Sequence, residues 1–231
     1  MRRKETITIC TFLSKMKYKD VIWDWNGTLI NDATLCADVL DFMMRSRGLG
    51  GIRLEEYREN FRFPISDFYK DMGFDLSSSN FEEIGAEFIL QYNERRFKCS
   101  LHDGAGKCIA KLKSIGVRQS ILSASQKDDL ATAVKHFGIS EYFEETSGLN
   151  HIYATSKAAL GLEHIKRLGA DRKRTLMVGD TEHDAAVANV MGVDCVLIDK
   201  GHYSRRRLLS LGFPVVSSHD EILGIVESQE Q

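Results

Sequence analysis

Between residues 106 and 198 the chain repeats one rhythm: a helix-patterned stretch, a glycine, then a short apolar run rich in β-branched residues. Gly106–Ile115 reads as a helix that passes through Gly116 into the strand VRQSILSA. Lys127–Phe137 reads as a helix ending at Gly138. Ser156–Leu168 is a helix preceding the strand RTLMVG, and Glu182–Met191 is a helix that ends at Gly192 before the strand DCVLI. Glycine is favoured just past a helix because it enters the left-handed region without a Cβ clash. Strands that are apolar throughout are covered on both faces, and alternating strands and helices give parallel pairing. The fold class is therefore α/β, a parallel sheet with helices on both sides. An earlier apolar run, Val21–Trp25 within KYKDVIWDWNGTLIND, supplies a first buried strand.

A long block without strand pattern separates this first strand from the others. ATLCADVLDFMMRSRG places Leu35, Val39, Phe42 and Met43 on one helical face, with Gly48 beyond its end. PISDFYKDMG opens at Pro64, a good first-turn residue, and stops at Gly73. NFEEIGAEFILQYNERRF has Asn80 as its N-cap and a stripe of Phe81, Ile84, Phe88 and Tyr92. Residues 33–100 are thus expected to form a helical subdomain, inserted into a core built from residues 16–32 and 101–231. The 231 residues suffice for such an arrangement. Residues 1–15 read as a flexible extension. Their apolar part, Ile7–Leu13, is short, broken by threonine and followed by no small-residue cleavage site, so it does not make a signal peptide.

Composition narrows the partners. The net charge is −2, with no basic half, which argues against nucleic acid or an anionic membrane as partner. The local basic run SRRRLL, Ser204–Leu209, reads as a solvated helix face. No apolar run approaches the ~18 residues of a membrane helix. Five cysteines without a Cys-x-x-Cys pair fit a reducing, cytoplasmic setting, and the seven histidines lack zinc-site spacing. DGAGKC at Asp103–Cys108 imitates a nucleotide-binding loop, but its first glycine and its final Ser or Thr are missing, so a turn into a helix is the better reading. A monomer or homodimer acting on a small molecule is expected.

Three polar residues stand at the C-terminal ends of expected strands: Asp24, Ser123 and Asp180. Lys157 opens the helix between the last two, and Asp184 lies in the first turn after Asp180. In a parallel sheet those ends share one edge, where ligands bind. Carboxylates with an open face suit Mg²⁺. A lysine and a hydroxyl suit phosphate oxygens, and an ionised Asp24 could attack phosphorus in line.

Taken in order, DWNGT (Asp24–Thr28), Ser123 in ILSAS, Lys157 and GDTEHD (Gly179–Asp184) resemble the four motifs of the haloacid dehalogenase superfamily. The likeness is to its phosphatase branch, near phosphoglycolate phosphatases and β-phosphoglucomutases, and spans about Lys19 to Val226. It implies a Rossmann-like core with a helical cap inserted after the first motif. It also implies a Mg²⁺-dependent phosphatase of small phosphorylated metabolites, working through an aspartyl-phosphate at Asp24. By the same resemblance the metal is held by Asp24, the main-chain carbonyl of Asn26 and Asp180. Asp184 steadies this shell, while Ser123 and Lys157 grip the phosphate. Thr28 and Ala124, inside or beside the motifs, are further substrate-binding candidates. Arg62 and Lys70 in the cap are candidates for the substrate's non-reacting end.

One position departs from the pattern. Asn26 stands where the family carries a second aspartate, and an amide cannot exchange a proton. General acid–base help is typically worth ~10²–10⁴-fold in rate. Either the protein acts on leaving groups that need little protonation, or it is a weak or inactive member that binds phosphate ligands. His183 could replace the missing base, although its place on the first helical turn points it towards solvent. A phosphonoacetaldehyde hydrolase-like cleavage of a carbon–phosphorus bond, a branch with DWAGT at the first motif, would need a Schiff-base lysine. Lys70 and Lys98 are the lysines available.

Overall fold

Residues 16–77, 80–150 and 157–229 are described by a computed structural model; the expected extension over residues 1–15 lies outside them. Strand β1 (Asp20–Trp23) pairs with β2 (Arg118–Gln126) on one side and β4 (Thr175–Gly179) on the other. β3 (Glu145–Leu149) flanks β2, while β5 (Asp194–Ile198) and β6 (Val215–Val216) continue beyond β4. The order is β3-β2-β1-β4-β5-β6, and every neighbouring pair is parallel. The chain moves outward from β1 through β2 and β3, then returns to the opposite side of β1 for β4. A crevice therefore opens beyond the C-terminal end of β1, where the connections diverge and where ligands bind in such sheets.

The period-two pleat explains the two layers. Val21, Trp23, Val178 and Ile198 face one side, against α5 (Ala105–Ser114), α6 (Lys127–His136) and α10 (His219–Glu227). Ile22, Met177 and Leu197 face the other, against α7 (Lys157–Leu168) and α8 (Glu182–Met191). The DGAGKC segment is a turn into α5, with Gly104 in the left-handed region at φ 82°.

Among the described residues, four α-helices lie between β1 and α5: α1 (Ala33–Ser46), α2 (Leu54–Asn60), α3 (Ile65–Asp71) and α4 (Asn80–Arg95). They enclose their own cluster, centred on Val39, Leu40, Met43, Tyr57, Phe68 and Tyr69. Phe42, expected on the buried face of α1, is 54% exposed; Cys36 and Leu40 are buried there instead. The pattern did not separate out α2, whose LEEYREN sequence buries only Tyr57.

The SRRRLL run is not a free solvated face. It forms α9 (Arg205–Leu209), capped by Ser204, and fastens the helical layer to the sheet. Arg207 lies over the Tyr203 ring at 3.5 Å and donates to the carbonyls of Arg58 (2.9 Å) and Phe61 (2.6 Å). Arg206 pairs with Glu59 on α2, and Arg205 with Asp199 at 2.6 Å. Arg58 reaches back to the carbonyl of Gly201 at 2.8 Å.

Candidate active site

β1 ends at Trp23, and the next residue, Asp24, turns its carboxylate into the crevice with 6% exposure. Gly27 follows at φ 73°, a conformation that side-chain-bearing residues rarely adopt. A Cβ there would stand 2.3 Å from Asp180 Oδ2, so glycine lets the loop from β1 lie directly against the loop from β4. Asp180 is held in that gap. It accepts from the His202 backbone N–H at 2.6 Å and from Thr28 Oγ1 at 3.3 Å. Asp184, three residues past the helix-capping Thr181, folds back to accept from the backbone N–H groups of Asp180 (3.2 Å) and Thr181 (3.1 Å). Its other oxygen accepts from Lys157 Nζ at 2.5 Å, and Lys157 also donates to Asp24.

Asp24, Asp180 and Asp184 each place an oxygen within 4.8 Å of the others, all buried. Burial raises Asp24 to about 7 against the pull of Lys157. Burial, with repulsion from Asp24 and Asp184, raises Asp180 to about 8 despite the attraction of His202. Burial opposes ionisation of Asp184, but the Lys157 charge and hydrogen bond together with the Thr181 hydroxyl outweigh it and hold this carboxyl below the usual range. Three buried carboxylates beside one ammonium leave an excess of negative charge. A small hard cation with oxygen preference fits this donor set.

Ser123 lies where the β2–β3 register breaks, between Leu122 and Gln126, so residues 123–125 leave the ladder and face the crevice. Ser123 is buried and Ala124 is exposed, and both line the cavity. The structure thus brings Asp24, Asn26, Ser123, Ala124, Lys157, Asp180 and Asp184 around one cavity of about 350 Å³, with Thr28 buried behind Asp180. His183, expected to face solvent, lines this cavity, its ring 4.5 Å from that of Phe63. Burial and the nearby Lys157 keep its imidazole pKa low.

Two expected substrate contacts are not brought there. Arg62 is paired with Asp71 at 2.7 Å, and Lys70 lies 3.8 Å from Asp67 with its side chain 63% exposed. Neither lines the cavity; Asp67 and Asp71, one turn apart on α3, hold both outward. Lys98 is also exposed and outside the lining.

The Asn26 side chain is engaged at both ends. Its Nδ2 donates to Asp32 Oδ2 at 2.6 Å and to the Tyr92 hydroxyl at 2.9 Å, and its Oδ1 accepts from Ser125 Oγ at 2.7 Å. Tyr92, carried by α4, donates to the same Asp32 oxygen at 2.7 Å. The other Asp32 oxygen accepts from the Gly27 N–H at 2.8 Å and lies 3.4 Å from His202 Nε2. Burial disfavours a charged His202, but Asp32, Asp180 and Asp24 overcome this and raise it to about 9. Tyr57 holds the second ring nitrogen at 2.9 Å. Asp32, Tyr92, Ser125 and His202 escaped the sequence reading. Asp32 immediately precedes α1 and so resembles a helix cap, yet its side chain makes no cap bond and turns inward. Nothing local in the sequence marks His202 or Tyr92 as partners of a loop so distant in the chain.

Comparison with known proteins agrees with this fold. The tyrosine-protein kinase PtkA of Mycobacterium tuberculosis is 28% identical over 158 residues, covering 68% of this chain and 53% of that protein. The chain thus spans about half the length of that relative. A phosphoglycolate phosphatase of Rhodobacter capsulatus is 24% identical over 186 residues, covering 79% of this chain and 84% of its own. A haloacid dehalogenase-like family hydrolase from Streptococcus pneumoniae shares the fold, with a TM-score of 0.77 at 16% identity over 90% of this chain and 98% of that one. The family model described as haloacid dehalogenase-like hydrolase matches residues 21–198. The chain therefore belongs to the haloacid dehalogenase-like hydrolase family.

Proposed function

We propose that this protein is a Mg²⁺-dependent phosphatase of small phosphorylated compounds, with Asp24 as the nucleophile. The observation that carries the reading is the convergence of three buried carboxylates and one ammonium on the floor of a covered cavity, at the divergence point of the sheet. Asp24, the main-chain carbonyl of Asn26 and Asp180 would hold the cation, with Asp184 bracing the loop. The bound cation would supply charge neutralisation for the phosphoryl oxygens.

The chain's own groups do the rest. Lys157 keeps Asp24 oriented and offers its ammonium to the phosphoryl group, while the buried Ser123 hydroxyl adds a further hydrogen bond. Asp24 attacks phosphorus, the ester oxygen leaves with its electron pair, and water then cleaves the aspartyl-phosphate to inorganic phosphate. The helical layer covers the cavity and limits entry of bulk water. Carbon–phosphorus cleavage gains no support, since neither Lys70 nor Lys98 lines the cavity. A cytoplasmic location is part of the proposal; among the described residues no helix is long and apolar enough to cross a membrane.

The test is turnover of acetyl phosphate, p-nitrophenyl phosphate and phosphoglycolate with Mg²⁺ and with EDTA. Metal-dependent release of phosphate that disappears in Asp24→Ala is expected. Absence of any such turnover would leave the phosphate-binding reading in its place.

A further inference from the structure

The roof and the floor of the cavity differ in kind. The floor holds the polar groups described above. The roof, from the helical layer, is built of rings and alkyl groups, among them Tyr57, Phe61, Phe63, Phe88, Ile89 and Tyr92. Phe61 and Phe68 meet edge to face at 5.3 Å, and Phe88 and Tyr92 lie nearly parallel with centroids 6.4 Å apart. Among the described lining residues no lysine or arginine comes from the roof. Lys157, the ammonium present, is already shared by Asp24 and Asp184, and both ring nitrogens of His202 are taken by Asp32 and Tyr57. A substrate whose far end is a carboxylate or a second phosphate would bring a charge into this space with no cation to receive it. Such burial is costly.

The floor imposes a second condition. Asn26 occupies the place beside Asp24 from which a proton would reach the leaving oxygen, and its amide is committed to Asp32, Tyr92 and Ser125. A leaving group that departs without protonation escapes this restriction. A phenolate does so, and an alkoxide does not. Its ring also matches the roof, since aromatic pairs gain favourable energy beyond that of their buried area. At about 350 Å³ the cavity sits at the small end of ligand pockets.

We propose that the substrate is an aryl phosphate, an uncharged one- or two-ring phenol ester whose ring packs under Phe63, Phe88 and Tyr92. This assignment rests on the phosphatase reading and narrows it. The P–O bond breaks, the phenolate leaves with the electron pair and takes its proton from solvent. Water then hydrolyses the aspartyl-phosphate.

The test pairs binding with turnover. Phenylphosphonate and phosphonoacetate carry the same phosphonate head and differ in the far end. With Mg²⁺ present, calorimetry is expected to find phenylphosphonate binding roughly tenfold tighter or more. Ile89→Lys, which puts an ammonium in the half-buried roof, is expected to shift the ratio at least about tenfold towards phosphonoacetate; Phe88→Leu is expected to weaken phenylphosphonate alone. In turnover, kcat/KM for phenyl phosphate is expected to exceed that for phosphoglycolate by about 30-fold or more. Equal or tighter binding of phosphonoacetate by the unaltered protein overturns the aryl assignment. So does Asp24-dependent turnover that favours phosphoglycolate, and that result leaves the phosphatase reading standing. Absence of turnover of every ester and of acetyl phosphate overturns both.

Discussion

Asn26 owes its identity to its neighbours. Its Nδ2 sits 2.6 Å from an Asp32 oxygen that Tyr92 also reaches. An amide donates there; a carboxylate would face a carboxylate, and two so close cannot both ionise. Asn26→Asp is therefore expected to cost about 1–3 kcal/mol of stability, read as a lower melting temperature. Combining it with Asp32→Asn restores one donor and one acceptor, and most of the loss should return. That double variant also places a carboxyl beside Asp24. Its kcat/KM for an alkyl phosphate is expected to rise by about 10²-fold, with a smaller gain for p-nitrophenyl phosphate. An equal gain on both would mean that leaving-group protonation is not what the asparagine withholds. The sequence raised the question of Asn26, but the answer lies in residues 6, 66 and 99 positions further along.

At the scale of elements, α4 and α9 join the helical layer to the sheet by different means. α4 does so through the Tyr92 hydroxyl, placed beside Asn26 and Asp32 in the loop after β1. Tyr92→Phe keeps the ring and removes both bonds. It is expected to lose about 1–2 kcal/mol and to raise KM more than it lowers kcat, because the roof is positioned less firmly while Asp24 is untouched. Steady-state kinetics beside urea unfolding separates the two effects. The long helices and the strands β1, β2, β4 and β5 were legible, since their period and their glycine stops are local properties. β3 and β6 were not. ETSGL is polar at its edge position, and β6 has two residues, so neither carries a pattern that differs from a loop. SRRRLL read as solvated because pattern alone does not reveal that Tyr203 and the carbonyls of Arg58 and Phe61 stand beside it.

For the whole molecule, stability is tied to pH through histidines that the sheet buries in neutral form. His164 lies between Ser147 and Ser120, at 2.8 Å from each, and burial lowers it to about 4 against the attraction of Glu145. His219 stacks on Trp23 and is lowered to about 4 by burial and by His102. In the unfolded chain both protonate near 6.5. The unfolded state thus binds more protons between about pH 6.5 and 4, so stability is fully present above that window and falls as pH drops through it. Each group can contribute on the order of 3 kcal/mol across the window. Urea midpoints at pH 7, 5.5 and 4.5 should fall in that order, and His164→Gln should flatten the decline. A separate expectation concerns the metal. Mg²⁺ should raise the melting temperature of the unaltered protein, and Asp180→Asn should remove most of that rise, because the carboxylate cluster is then half neutralised without it.

The sequence by itself determined the parallel sheet and its buried strands, through short β-branched runs and glycine stops. It also determined the chemistry-bearing residues at the strand ends, because backbone geometry puts those ends on one edge. Tertiary structure alone decided what surrounds them. It turned Arg62 and Lys70 outward onto the acids of α3 and brought His183 in against Phe63. It locked Asn26 between Asp32, Tyr92 and Ser125 and roofed the site with rings. The physical reason is range: helix period, strand alternation and turn chemistry act over a few residues, whereas charge pairing and ring packing depend on neighbours that only the completed fold supplies.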